Sequence, residues 1–246
     1  MILYLFLKFK IFNNIYIMFK KIKKYQIIQQ NKKNINDTYG FGIFRKNAID
    51  LLQLTCKIFD EYEIKYCLIS GTLLGYVRHN DFIPWDDDID LLVENKINMV
   101  MNDILKKYGK EITFIIKNNY YSKICLKNIG IPIKNKIWEK YITDQYNFPF
   151  IDLFVYTIID NNTISFFDKT WDISMFLPFK KTFFLGITVY IPLNSHYFLS
   201  LNYGNNYLIE FKLSNWSHTN ETNIINPLIK YDKFIDDCKS IKLSKN

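Results

Sequence analysis

The run Asp86-Asp87-Asp88-Ile89-Asp90 puts four acids in five positions directly before Leu91-Leu92-Val93. That junction restricts the chain more than any other feature. The apolar residues demand burial, and burying unpaired carboxylates is costly. A solvated acidic turn would not normally run straight into a core segment. The conflict is resolved if the acids stand at the end of a buried strand and meet a divalent cation. Residues i and i+2 of a strand face the same way, so Asp88 and Asp90 are expected to project together, with Ile89 pointing into the core. Carboxylates so placed repel and raise each other's pKa. Oxygen ligands suit Mg²⁺ or Mn²⁺. An isolated acid pair is usually just an acidic surface turn. Four acids set between Pro84-Trp85 and an apolar strand favour the metal.

The flanking sequence supplies a context for such a site. Residues 65–70 read as a short strand, Ser70-Gly71-Thr72 as a tight turn, and Leu73, Leu74 and Val77 as the apolar face of a helix. Gly71 lets a ligand approach the backbone closely. Thr72 is expected to cap the helix, whose free N–H groups favour a phosphate. Arg78 lies between the turn and the acids and suits a bidentate phosphate contact, or is a surface arginine. His79 is equally a site or a core residue. Asp86 and Asp87 stand as ligands or as partners of ligands. Trp85 walls a pocket or stacks on a base, the wall being the plainer reading. Further on, residues 150–156 (FIDLFVY) enclose one acid in an otherwise apolar strand. A buried lone Asp needs a partner. For Asp152 that is a salt bridge or hydrogen bond, or else the site that Asp88 and Asp90 already demand, where it would be the third carboxylate.

A glycine-plus-Ser/Thr turn followed by hydrophobic-Asp-hydrophobic-Asp resembles the nucleotidyltransferase-fold signature. The longer wording SGTLLGYVRHNDFIPWDDDIDL resembles the LicD/fukutin-related family. Ile151-Asp152-Leu153-Phe154, Phe184-Leu185-Gly186 through Ile191-Pro192, and Tyr203-Gly204 extend the resemblance over roughly positions 43–205. It implies an α/β (α+β) fold, a nucleotidyltransferase-like mixed sheet flanked by helices. It implies a metal-dependent transferase that moves a phosphorylated alcohol, of phosphocholine or ribitol phosphate type, from a CDP-linked donor to a glycan hydroxyl. In that family frame Asp88, Asp90 and Asp152 hold Mg²⁺ or Mn²⁺, and Asp152 or a neighbouring carboxylate is the base. Gly71 and Thr72 hold the diphosphate, with Arg78 and His79 on the donor side. Two rivals share the fold: a nucleotidyltransferase acting on a small molecule, protein or RNA, and a catalytically idle scaffold.

A chain of 246 residues that is 49% hydrophobic and 17% aromatic is not disordered and needs no more than one domain. The formal net charge of +8 fits a phosphate-rich partner or a membrane surface. It fits equally a compositional bias toward A/T-rich codons, so nucleic-acid binding gains little from it. Cys56, Cys67, Cys125 and Cys238 form no CxxC or Cys/His cluster, which argues against zinc. Cys67 and Cys125 read as small buried hydrophobes.

Residues 1–19 are apolar but broken by Lys8, Lys10, Asn13 and Asn14, too short an apolar run to span a bilayer. With Lys20, Lys21, Lys23 and Lys24 they make an interfacial helix at an anionic membrane, or a helix packed on the domain. The expected organisation is an extension and linker at 1–36, a catalytic domain at 37–205, and an Asn/Lys-rich extension at 206–246. The expected location is cytoplasmic with peripheral membrane association. Helices are expected at 44–62, 97–108, 168–176 and from an Asn194-Ser195 cap to Tyr203, strands at 112–116, 122–126, 129–138 and 183–191, and a turn at 178–181.

Overall fold

The computed structural model describes residues 40–133, 146–208, 216–219 and 222–223. The expectations for residues 1–36 lie outside that range. Four helices are described: α1 (Arg45–Glu61), α2 (Ser70–His79), α3 (Ile97–Tyr108) and α4 (Ser195–Tyr203). The main sheet runs β1-β2-β7-β4-β3, from β1 (Tyr66–Leu68), β2 (Ile89–Glu94), β3 (Ile112–Asn118), β4 (Tyr121–Leu126) and β7 (Phe150–Ile158). Strands β5 (Ile131–Pro132) and β6 (Asn147–Phe148) form a small separate pair. Only β2 and β7 are parallel within the main sheet. This is the expected α/β mixed sheet flanked by helices.

The parallel pair sits at the centre because β2 and β7 are apolar on both faces. Ile89, Leu91, Leu92 and Val93, like Ile151 and Leu153, are completely buried, as a strand covered on both sides requires. Helix α1 packs on β7, β4 and a strand of a later hairpin, and its Leu51, Leu52, Ile58 and Phe59 are completely buried. These residues recur at helical spacing, which is why 44–62 is legible as a helix. Cys67 and Cys125 are buried, as expected.

The sheet register sets the site. Asp90 pairs with Asp152, and Asp152 with Lys123 on its other side. Directly paired residues on neighbouring strands share a face, so one row across the sheet reads Asp90, Asp152, Lys123.

Several local expectations fail for identifiable reasons. Residues 168–176 are not a helix. They form β9 (Lys169–Asp172) and a 3-10 turn (Ile173–Met175), with β9 paired to β8 (Thr163–Phe166). Phe167 and Asp168 both take positive φ, 54° and 55°, the geometry of a tight hairpin turn. The expected 183–191 strand is a hairpin of β10 (Lys180–Phe184) and β11 (Ile187–Ile191). Its turn is Leu185-Gly186, again with positive φ, so Lys180 and Lys181 open a strand instead of lying in a turn. Of the strand expected at 129–138 and broken by Pro132, Ile131–Pro132 is a strand, and residues 134–138 lie outside the described residues.

Candidate active site

Helix α2 begins at Ser70, so Gly71 and Thr72 lie inside its first turn and Ile69 is the N-cap. Thr72 therefore does not cap the helix. Its hydroxyl, 2% exposed, accepts a hydrogen bond from the Asp90 backbone N–H at 2.8 Å. That bond ties the helix start to the head of β2. The Gly71 N–H donates to the Asp90 carboxylate. A Cβ on Gly71 would lie 2.5 Å from Asp86 Oδ2, so the close approach of a carboxylate explains this glycine better than turn conformation does.

Asp86, Asp88 and Asp90 converge here. Burial first, then Asp88 and Asp152, holds the Asp90 carboxyl well above the ordinary range. Burial, then Asp88 and Asp90, does the same to Asp86. Asp88 is raised by burial and by Asp152, against the opposing effect of His218. Asp86 and Asp88 also share a side-chain hydrogen bond. All three directions report the same condition, buried negative charge without enough positive charge nearby.

Asp152 has both partners that its sequence context suggested. Lys123 Nζ lies 2.6 Å from Asp152 Oδ1, with the two side chains 1% and 4% exposed. Tyr121 also donates to Oδ1. The ammonium sits 3.6 Å from the centroid of Phe150, a cation–π contact that replaces some of its lost hydration. At the same time Asp152 joins Asp88 and His218 in a set whose ligand atoms all lie within 4.8 Å of one another. Carboxylate oxygens and an imidazole nitrogen are donors for a divalent cation. Asp90 is not part of that compact set. Its bonds to α2 hold it beside the set.

His218 was not foreseen. It comes from the segment 216–219, past position 205, and its Nε2 lies 3.2 Å from Asp88 Oδ2. A lone histidine in a polar stretch gives no periodicity or spacing to read; only the fold brings it to the acids. Arg78, in the last turn of α2, donates to the Tyr207 carbonyl at 3.0 Å. Burial, then Asp90, Asp86 and Asp88, raises the Tyr203 hydroxyl, and Arg78 opposes them. His79 is buried at 5% exposure, edge-on to Trp85, and its pKa is pushed down to about 3 by burial and Arg78. It is a neutral core residue. Trp85 is buried as well, 6% exposed.

A mixed sheet with acids at the head of its central strands and a helix N-terminus beside them defines a nucleotidyltransferase-type domain. The chain belongs to the LicD/FKTN/FKRP nucleotidyltransferase-domain family, whose model matches residues 63–194. An uncharacterised protein of Rickettsia typhi is 33% identical over 156 residues, covering 62% of this chain and 45% of the relative. Human ribitol-5-phosphate transferase FKTN is 23% identical over 213 residues, covering 78% and 40% respectively. Lipopolysaccharide cholinephosphotransferase LicD of Haemophilus influenzae is 49% identical over 45 residues, covering 18% and 16%. The matches span about half or less of these curated relatives. Among the described residues no helix is long and apolar enough to cross a membrane.

Proposed function

We propose that this chain is a transferase moving a phosphorylated alcohol, of phosphocholine or ribitol phosphate type, from a CDP-linked donor to a hydroxyl of a glycan or glycoconjugate. One observation carries the reading: Asp90 and Asp152 stand opposite each other on adjoining parallel strands, and Asp88 joins Asp152 and His218 in one compact donor set. The donor set fits a divalent cation, Mg²⁺ or Mn²⁺. Asp88, Asp152 and His218 would hold it, with Asp90 alongside. When bound, such an ion supplies charge neutralisation at a diphosphate.

The chain's own groups do the rest. Asp152 already accepts hydrogen bonds from Lys123 and Tyr121. Asp90, with its carboxyl held high by burial, is the better general base for the acceptor hydroxyl. Arg78 meets the charge that grows on the departing nucleotide.

Products decide between this reaction and nucleotide transfer. Attack on the phosphorus distal to the nucleoside releases CMP; attack on the α-phosphorus of a triphosphate releases pyrophosphate. Incubation with CDP-choline or CDP-ribitol and a glycan acceptor should yield CMP in the presence of Mg²⁺ or Mn²⁺. Pyrophosphate from CTP or ATP, with no CMP from either CDP-alcohol, would replace the reading by nucleotidyl transfer. Peripheral attachment to the cytoplasmic face of a membrane through residues 1–24 belongs to the same proposal. The full chain should bind anionic liposomes and a chain starting at Asn34 should not; equal binding by both removes that part.

A further inference from the structure

The acidic run contains one member that does not face the other three. Asp87 is only 4% exposed, yet its carboxylate is spent on a distant part of the chain. Its Oδ1 accepts from the His218 backbone N–H at 3.3 Å. Its Oδ2 accepts from the Thr219 N–H at 3.3 Å and from the Thr219 hydroxyl at 2.9 Å, with the Ser217 hydroxyl at 3.4 Å. Two backbone N–H groups and two hydroxyls around one carboxylate make a well-satisfied anion site.

We infer that Asp87 is a positioning residue: it clamps segment 217–219 and thereby seats the His218 ring against Asp88 and Asp152. Among the described residues, the segment's own backbone pairing is short. It belongs to a hairpin of β12 (Trp216–Ser217) and β13 (Thr222–Asn223) with two paired positions among the described residues, and a two-stranded hairpin is marginal by itself in water. With the clamp in place, the ring reaches Asp88 at 3.2 Å and stands edge-on to Phe150, centroids 5.9 Å apart. Phe150 opens β7, two residues before Asp152. The ring thus lies between Asp88, the residue just before β2, and Phe150 at the start of β7. This inference rests on the proposed function for what His218 does in the site, but the seating itself is independent of any metal.

The test uses the full chain and nuclear magnetic resonance of its three histidine rings. Without metal, the wild type should show a ring-to-ring nuclear Overhauser contact between His218 and Phe150. Asp87→Ala and Thr219→Val should abolish it, and Thr219→Ser, which keeps the hydroxyl, should restore it. Added Mn²⁺ should broaden the His218 ring in the wild type. Its affinity should fall roughly 10-fold or more in Asp87→Ala and Thr219→Val, the loss usual for groups that orient a metal ligand. In a His218→Ala background, Asp87→Ala should change Mn²⁺ affinity no further. Survival of the His218–Phe150 contact in Thr219→Val overturns the inference even if Asp87→Ala does not fold. So does a full additional loss of affinity on adding Asp87→Ala to His218→Ala. Absence of Mn²⁺ binding in a wild type that shows the ring contact sinks the metal reading and leaves the clamp supported.

Discussion

A carboxylate at position 90 works against the fold that holds it, because burial, Asp88 and Asp152 all favour its protonated form. Replacing Asp90 by Asn removes that burden and keeps an oxygen for the Gly71 N–H. Asp90→Asn should therefore raise the melting temperature of the metal-free protein while abolishing CMP release; a lower melting temperature would mean the charge is already compensated. Lys123 is the reverse case. Its ammonium is the buried counter-charge to Asp152, and removing one partner of such a pair strands the other. Lys123→Met should cost about 3 kcal/mol or more of stability in urea titrations, with Mn²⁺ recovering part of it by taking over the charge. Gly71→Ala places a methyl 2.5 Å from Asp86 Oδ2. The tip of that side chain can swing away, so the expected result is loss of Mn²⁺ affinity with the fold intact. Unchanged affinity would remove Asp86 from the site.

At the scale of elements, what could be read in the sequence was what local pattern dictates. Helix α3 was expected at 97–108 and is Ile97–Tyr108, because its apolar positions recur at helical spacing and Gly109 follows. The strands β2 and β7 were legible because an acid inside an apolar run is too costly to be accidental. The two hairpins were not. Their turns use Phe167-Asp168 and Leu185-Gly186, of which only Gly186 signals a positive φ. The stretch 168–176 was expected to be a helix, whereas cross-strand pairing of Ile164 with Trp171 makes it part of a hairpin. Thr72 was likewise assigned to the right place with the wrong partner. Its hydroxyl joins two elements instead of capping one. Thr72→Val should therefore loosen the head of β2, lowering stability by about 1 kcal/mol and accelerating hydrogen exchange at the Asp90 amide, while Thr72→Ser preserves both. His218 and the clamp at Asp87 exist only through contacts across more than a hundred residues, and no local pattern encodes them.

Across the whole molecule, the clustered acids link stability to pH in a direction that depends on the cation. Folded Asp86, Asp88 and Asp90 all bind protons more tightly than the ordinary value of 3.8 allows. Between that value and their raised ones, the folded chain holds more protons than the unfolded chain. Stability of the metal-free protein therefore falls as pH rises through that window. A bound cation favours the deprotonated carboxylates and pulls their values down. Its stabilisation is then present above the ordinary value and is lost as the pH falls and protons compete for the ligands. The positive net charge of the chain grows on acidification and adds a background trend of self-repulsion, which Asp90→Asn measures, since it alters one acid and little else. Urea midpoints from about pH 5 to about pH 8, taken in EDTA and in saturating Mg²⁺, should diverge as pH rises, the EDTA curve sloping down relative to Asp90→Asn and the Mg²⁺ curve sloping up. Parallel curves, with Asp90→Asn matching the wild type in both, would mean that the acids carry their charge without strain and that no cation completes them.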